Sequence, residues 1–380
     1  MNIKKALFIN IMRGLFLVGI IKAISTIIGT FIGAGFASGK EIYLFFYRYG
    51  IWGIIGIIIS SISVGYIIYK VIYISKNNHI DNYNDFINYI VKSKIIKTIL
   101  NNVIDLFLII SFCVMISGFC AFLNQEFNIK IIISYIFILI LCCIILRKNI
   151  NGIAKINNIV IPIIIFAIIY IAVKKTSNSY TILVKSINNN EFSIRFIIDS
   201  ILYANYNLLT IVPILITIKR FVNKKRAIKY VGVICGLIIF VLSVSILALL
   251  SQGDATVKNI EMPIVFIVGQ YGLIYKYIYC LIIGIAIFTT AISAGYGYLQ
   301  KYEKNKLIYN KRMVFLMIST IISIPIGFSK LIAILYPVFG IIGVIQSYYI
   351  IKVQRTNKRG QKRALFIKKK FGNKKVDYIF

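Results

Sequence analysis

Apolar runs long enough to cross a bilayer recur along the chain, and glycine interrupts the first of them. A run of 18 or more residues with few charges reads as a membrane span. The chain has 380 residues, 59% hydrophobic and 14% charged, against about 25% charged in a soluble domain. The first run contains Gly29-Thr30-Phe31-Ile32-Gly33-Ala34-Gly35-Phe36-Ala37-Ser38-Gly39-Lys40-Glu41. Each of its four glycines costs a helix about 1 kcal/mol against alanine. In hydrocarbon a freed backbone group finds no water, so such a break survives only where protein or a wet cavity surrounds it. The expectation is a buried binding site at membrane depth, as in carriers built from inverted repeats.

Hydropathy predicts ten spans: 20–49 (interrupted at Gly33–Gly39), 51–74, 98–126, 129–146, 150–173, 195–218, 228–251, 272–300, 313–328 and 331–351. A short amphipathic helix is predicted within 75–97. The stretch 252–271, with an amphipathic middle, is predicted to lie across an outer mouth. Within the N-terminal segment 1–19, residues 6–19 are apolar but carry Arg13. They read as an interfacial segment, since one helix continuing to Tyr49 would exceed the usual ~17–25 residue span. The single transmembrane domain is then 20–351, followed by a basic tail at 352–380.

Lys and Arg number 44 against 11 Asp and Glu. They lie between apolar runs and in the tail, the pattern of topology signals and not of a nucleic-acid surface. With the N-terminus inside, inner segments hold about 32 of them and outer loops about 9. A multi-pass plasma-membrane protein with both termini cytoplasmic is predicted, with a small-molecule solute and the lipid bilayer as partners and no nucleic acid. Protein partners are not readable. The six cysteines fall in predicted spans without a CxxC pair, and the one histidine, His79, is in a loop. Metal-ligand spacing is absent, so no cofactor is expected.

Five spans precede an Asn-rich outer loop at 174–193 and five follow it. An odd-numbered unit repeated once is inverted, which gives repeats at 20–173 and 195–351. The sixth span, which opens the second repeat, carries Tyr203-Ala204-Asn205-Tyr206-Asn207, a cluster that suits a lipid-facing helix poorly. A second break is predicted there, because paired interruptions in corresponding spans mark a transporter site. The substrate site is predicted between the breaks, from Gly33, Ala34, Gly35, Phe36, Tyr203, Asn205 and Asn207. Free amides of the half-helices favour an anionic group such as a carboxylate, so an amino acid is the leading solute. Gly29/Gly33 and Gly35/Gly39 also make small-xxx-small pairs, and intramembrane asparagines also bond between helices. The string at 34–40 approaches a P-loop but has Glu41 where Mg²⁺ needs a hydroxyl.

Gly29-Thr-x-x-Gly33-Ala-Gly35-Phe-Ala-Ser-Gly39-Lys-Glu41, followed by Phe45-Phe46 and Tyr49-Gly50, resembles the YkvI family of bacterial membrane proteins. The architecture resembles the LeuT fold of the amino acid–polyamine–cation superfamily over about 20–351. Family members show Gln where this chain has Lys40. The resemblance implies an all-α fold of ten helices in a five-plus-five inverted repeat, and ion-coupled transport of a small solute. In sodium-coupled carriers of that fold, a carbonyl and two hydroxyls of the eighth span meet two carbonyls of the first. Carried over residue by residue, these are Ala286, Thr289, Thr290, Gly29 and Ile32, an all-oxygen set for sodium as coupling ion. The alternative is that Thr289, Thr290 and Ser293 bond back to their own helix.

Glu41 follows the break, and an intramembrane carboxylate is a functional candidate by default. Coupling or gating by Glu41 with Lys40 stands beside simple pairing of Glu41 with Lys40 or Arg48. Asp105 and Asp199, near span ends, read as structural ion-pair partners, and Lys22 as snorkelling to the inner surface. A membrane enzyme would need clustered acids, histidines or metal ligands, which the sequence lacks. The remaining alternative is a non-transporting receptor or regulator that keeps the transporter fold.

Overall fold

The computed structural model describes residues 2–147, 151–176, 193–222, 224–253, 260–302 and 305–371, with backbone alone for 2–16, 151–160 and 354–371. Every regular element among them is helical. The first predicted span becomes α1 (Asn2–Phe31), α2 (Ala34–Ala37), α3 (Lys40–Phe45) and a 3₁₀ turn at Tyr47–Tyr49. α1 runs uninterrupted across position 19, so the interfacial segment and the first half-span are one helix. α4 (Ile51–Asn77), α5 (Tyr83–Ile90), α6 (Lys94–Phe127), α7 (Ile131–Leu146) and α8 (Asn151–Thr176) follow. α5 is the short helix expected within 75–97, and the Asn82 side chain caps it by accepting from Asp85 N–H.

The second half contains α9 (Arg195–Ile218), α10 (Lys225–Leu250), the short α11 (Pro263–Gly269), α12 (Leu273–Leu299), α13 (Lys306–Ser319) and α14 (Phe328–Phe371). Most of the Asn-rich loop, residues 254–259 of the 252–271 stretch and the last nine residues lie outside the described residues. α14 continues through Ile351 into the tail, so position 352 is not an element boundary. The predicted ninth span is the least regular: α13 begins among Lys306, Lys311 and Arg312 and gives way to a 3₁₀ turn at Thr320–Ser323.

Six described helices are each long and apolar enough to cross a membrane, and shorter apolar helices lie at Leu17–Phe31, Ile131–Leu146 and Ile161–Lys174. Their outward faces carry Ile132, Phe166 and Ile274 at more than 70% exposure. Soluble monomers rarely expose such continuous apolar surface. In a bilayer these faces meet lipid, and the core lies between helices. α4 packs against α9 and α10, α6 against α12, and α9 against α14. At the α4–α10 crossing a Cβ on Gly65 would stand 2.7 Å from Gly232 O, so only glycine permits that backbone approach.

The predicted break in the sixth span does not occur. α9 is continuous through Tyr203–Asn207. Asn205 Nδ2 donates to Ile201 O at 2.7 Å and Asn207 Nδ2 to Tyr203 O at 3.1 Å. These amides bond back one turn, so their polarity is met without opening the helix. α9 is held at both ends. Arg48 and Tyr49 bind the Asp199 carboxylate at one. At the other, Lys219 Nζ donates to Ile80 O and pairs with Asp81 at 2.8 Å. The Lys219 ammonium holds the Asp81 carboxyl below the usual carboxylate range.

Candidate functional site in the break of the first span

α1 stops because its next donors turn away. A continuous helix would give Gly33 N–H to Gly29 O, but that amide bonds Phe31 O at 3.0 Å. Ala34 N–H, which would reach Thr30 O, points to Met115 Sδ at 3.4 Å. Gly33 is extended, at φ −96° and ψ −175°, before the single turn of α2. Gly39 then takes φ +83°, a left-handed conformation that L side chains rarely adopt. The chain re-enters helix at Lys40.

The freed carbonyls find protein partners. Thr290 Oγ1, on α12, lies 2.8 Å from Ile32 O and 3.5 Å from Gly29 O. Three of the five oxygens assigned to sodium thus converge between α1 and α12. Thr289 Oγ1 and Ala286 O, the other two, bond each other at 3.2 Å. Ser293 Oγ bonds Thr289 O. All are buried. On the far side of the break Tyr279 Oη donates to Ala37 O at 2.8 Å, and Ile264 N–H, from α11, to Ser38 O at 3.0 Å.

Glu41 turns back over α2. It is 3% exposed, accepts a hydrogen bond from Tyr206 Oη, and has the backbone N–H of Phe36 directed at it. A Cβ on Gly35 would meet Glu41 Oε1 at 2.3 Å, so the carboxyl group rests directly on the glycine backbone. The protein's own acid therefore occupies the amide end of α2, where a solute carboxylate was expected. Among the described residues Glu41 has no ion-pair partner. Lys40 turns away and donates to Ile260 O at 2.9 Å, and Arg48 is taken by Asp199. The pairing of Glu41 with Lys40 or Arg48 is not observed.

A cavity of about 20 Å³ lies between the break, α6, α9, α12 and α14. Thr30, Phe31, Gly33, Glu41, Asn207 and Thr290 line it, with Phe107, Ser111 and Met115 from α6 and Tyr206, Thr210 and Tyr336 completing the wall. Ala34 and Phe36 are buried beside the break, and Phe36 packs edge-on to Phe31 at 5.5 Å. Tyr203 is fully buried in an aromatic cluster with Phe46 and Phe45. Asn205 faces α14 and not the cavity: its Oδ1 accepts from Ser347 Oγ, and α14 crosses close enough that a Cβ on Gly343 would stand 2.2 Å from Asn205 O. Met115 and Tyr336 were not singled out from sequence, and Tyr206 was read there only as a member of the Tyr203–Asn207 cluster. Met115 lies among Ser111, Ser117 and Gly118, a small-residue run in the third span that was the one available signal.

No protein-family model matches the chain. It is 27% identical over 322 residues to the uncharacterized membrane protein YkvI of Bacillus subtilis (strain 168), covering 83% of this chain and 91% of that protein. It is 26% identical over 326 residues to the uncharacterized protein YyaD of the same organism, covering 84% and 92%. The chain is thus similar to both proteins over more than four-fifths of its length. Its structural neighbours are LeuT-fold transporters. The Eremococcus coleocola manganese transporter superposes with a TM-score of 0.53 at 12% identity, covering 92% of this chain and 73% of that one. At that identity the likeness carries the fold alone, and it agrees with the resemblance read from Gly29–Glu41.

Proposed function

We propose that this protein is a sodium-coupled secondary transporter of a small amine-bearing solute, an amino acid being the leading class, working by alternating access. One observation carries the reading. The break of the first span frees the carbonyls of Gly29 and Ile32, and both face the Thr290 hydroxyl of α12 across a buried contact. Neutral oxygens from two helices are what a hard cation requires, and with no ion present the hydroxyl donates into the same space. Sodium bound there ties α1 to α12 and favours one state of the carrier, and the solute occupies the neighbouring cavity.

The packing supports a five-plus-five inverted repeat. α1 packs on α8 as α9 packs on α14, while α4 meets α10 and α6 meets α12, each the counterpart of its partner in the other half. The basic-residue bias supports a plasma-membrane protein with both termini in the cytoplasm. Manganese as cargo finds no support, because among the described residues no group of three His, Cys, Asp or Glu is placed to hold a metal.

The test is Thr290→Val, which keeps volume and β-branching and deletes the oxygen. Loss of one ligand of five weakens sodium by about 1–3 kcal/mol, roughly a five- to 150-fold rise in the sodium giving half-maximal thermal stabilisation or flux. Unchanged sodium dependence at equal expression removes this ion site, and absence of any solute flux in vesicles favours a receptor.

A further inference from the structure

We propose that Glu41 is the fixed anion of the solute site and that the group it receives is an ammonium, not a carboxylate. The inference rests on reading the cavity as the solute site and specifies what is recognised there. A half-helix N-terminus ordinarily attracts an anion. Here Glu41 already covers that end, with the Phe36 amide directed at it and its carboxyl against Gly35. A second carboxylate arriving there meets a like charge in a site without bulk water, where repulsion is poorly screened.

What the cavity lacks is a positive charge. Among the described lining residues Glu41 is the one charged group, and it is almost fully buried with a phenol and a backbone amide as partners and no cation. A buried carboxylate without a cation is costly, and pairing relieves that cost. The rest of the wall suits an ammonium. Tyr206 and Tyr336 are stacked at 4.3 Å between ring centres, and Phe31 and Phe107 line the same space. Aromatic faces attract cations most strongly where water is excluded. Ser111 and Thr210 supply hydroxyls, and Asn207 an amide oxygen, as acceptors for further N–H groups. The volume of about 20 Å³ admits about one water-sized group, which is the size of an ammonium head. A longer solute needs the site to open, as alternating access provides.

Glu41 and Thr290 both line this cavity, but different partners hold them. Glu41 lies on α3 and α9's side of the cavity through Tyr206, whereas Thr290 faces the carbonyls of α1. The two readings can therefore fail independently. The experiment uses the full chain purified in detergent and follows its thermal unfolding, since a ligand of the folded state stabilises by mass action. Ammonium chloride and methylammonium chloride are titrated against N-methylglucamine chloride at constant ionic strength, with N-methylglucamine acetate as the carboxylate arm and sodium chloride as a separate arm.

Wild type is expected to be stabilised by both amines and not by acetate. Glu41→Gln, nearly isosteric, should raise the amine half-effect concentration more than tenfold and keep the sodium response. Thr290→Val should do the reverse. If Glu41→Gln gives no cooperative unfolding, Tyr206→Phe, which removes one hydrogen bond to the carboxylate, is used, and an amine response identical to wild type overturns the proposal. It is also overturned if Glu41→Gln binds amines as wild type does, if acetate stabilises and amines do not, or if wild type responds to sodium alone. In the last case the sodium-coupled reading stands without this one. A wild type that responds to amines and not to sodium overturns only the ion assignment.

Discussion

Gly35 carries a tighter constraint than any other residue of the break. Its Cβ position lies 2.3, 2.7 and 2.9 Å from Glu41 Oε1, Cγ and Cδ, so alanine displaces the whole carboxyl group and not one flexible atom. Gly35→Ala should break the Tyr206 contact and destabilise the protein by about 1–3 kcal/mol, the scale of a lost buried polar partner. In a Glu41→Ala background the same change should cost much less, and a double-mutant cycle on unfolding midpoints reads the coupling. Equal costs in both backgrounds would mean that the two residues do not constrain each other. The oxygen set proposed for sodium came from the resemblance, carried over residue by residue, and three of its oxygens, Thr290 Oγ1 and the carbonyls of Gly29 and Ile32, lie together in the structure. The Glu41–Tyr206 bond joins residues 165 apart, and no local pattern announces such a pair.

Hydropathy located the six helices long and apolar enough to cross a membrane, because a bilayer demands about 20 apolar residues wherever a helix crosses. It could not tell whether α9 opens, since Asn205 and Asn207 add the same polarity whether they line a break or bond back to their own turn. The break in α1 differs because backbone geometry enforces it: Gly39 at φ +83° lies against Ile264 of α11, where a Cβ would stand 2.6 Å from Ile264 Cγ1. Gly39→Ala should cost about 1–2 kcal/mol from the left-handed backbone alone and more from the contact with α11. α11 is pegged to the break by Ile264 N–H on Ser38 O and by Lys40 on Ile260 O. The variant should therefore expose a cysteine placed at Ile260 to labelling faster than in the parent. An unchanged labelling rate, with the melting point lowered, would separate backbone strain from any role of α11 as a cover.

At the scale of the molecule, orientation follows from charge that no contact records. Asn305, at the N-cap of α13 where it accepts from Leu307 and Ile308 N–H, should be reached from the cytoplasmic side. Lys185, outside the described residues, should be reached from the exterior. Single cysteines at these positions, in a background without the native six, read this directly, and labelling of 305 from outside with 185 protected would invert the topology. The continuity of α9 has a mechanical consequence. Its 24 residues make a rod about 36 Å long, crossed near its middle by the Tyr206–Glu41 contact and fastened at Asp199 and Lys219. The helix runs on across its internal proline, Pro213, and a continuous helix transmits rotation. Turning by about 10° about its centre would swing each tip by about 3 Å on that length, enough to part a hydrogen bond at one fastening while the middle barely moves. On the alternating-access reading proposed above, α9 would act as a lever whose fulcrum is the site itself, so that opening one mouth would be geared to closing the other.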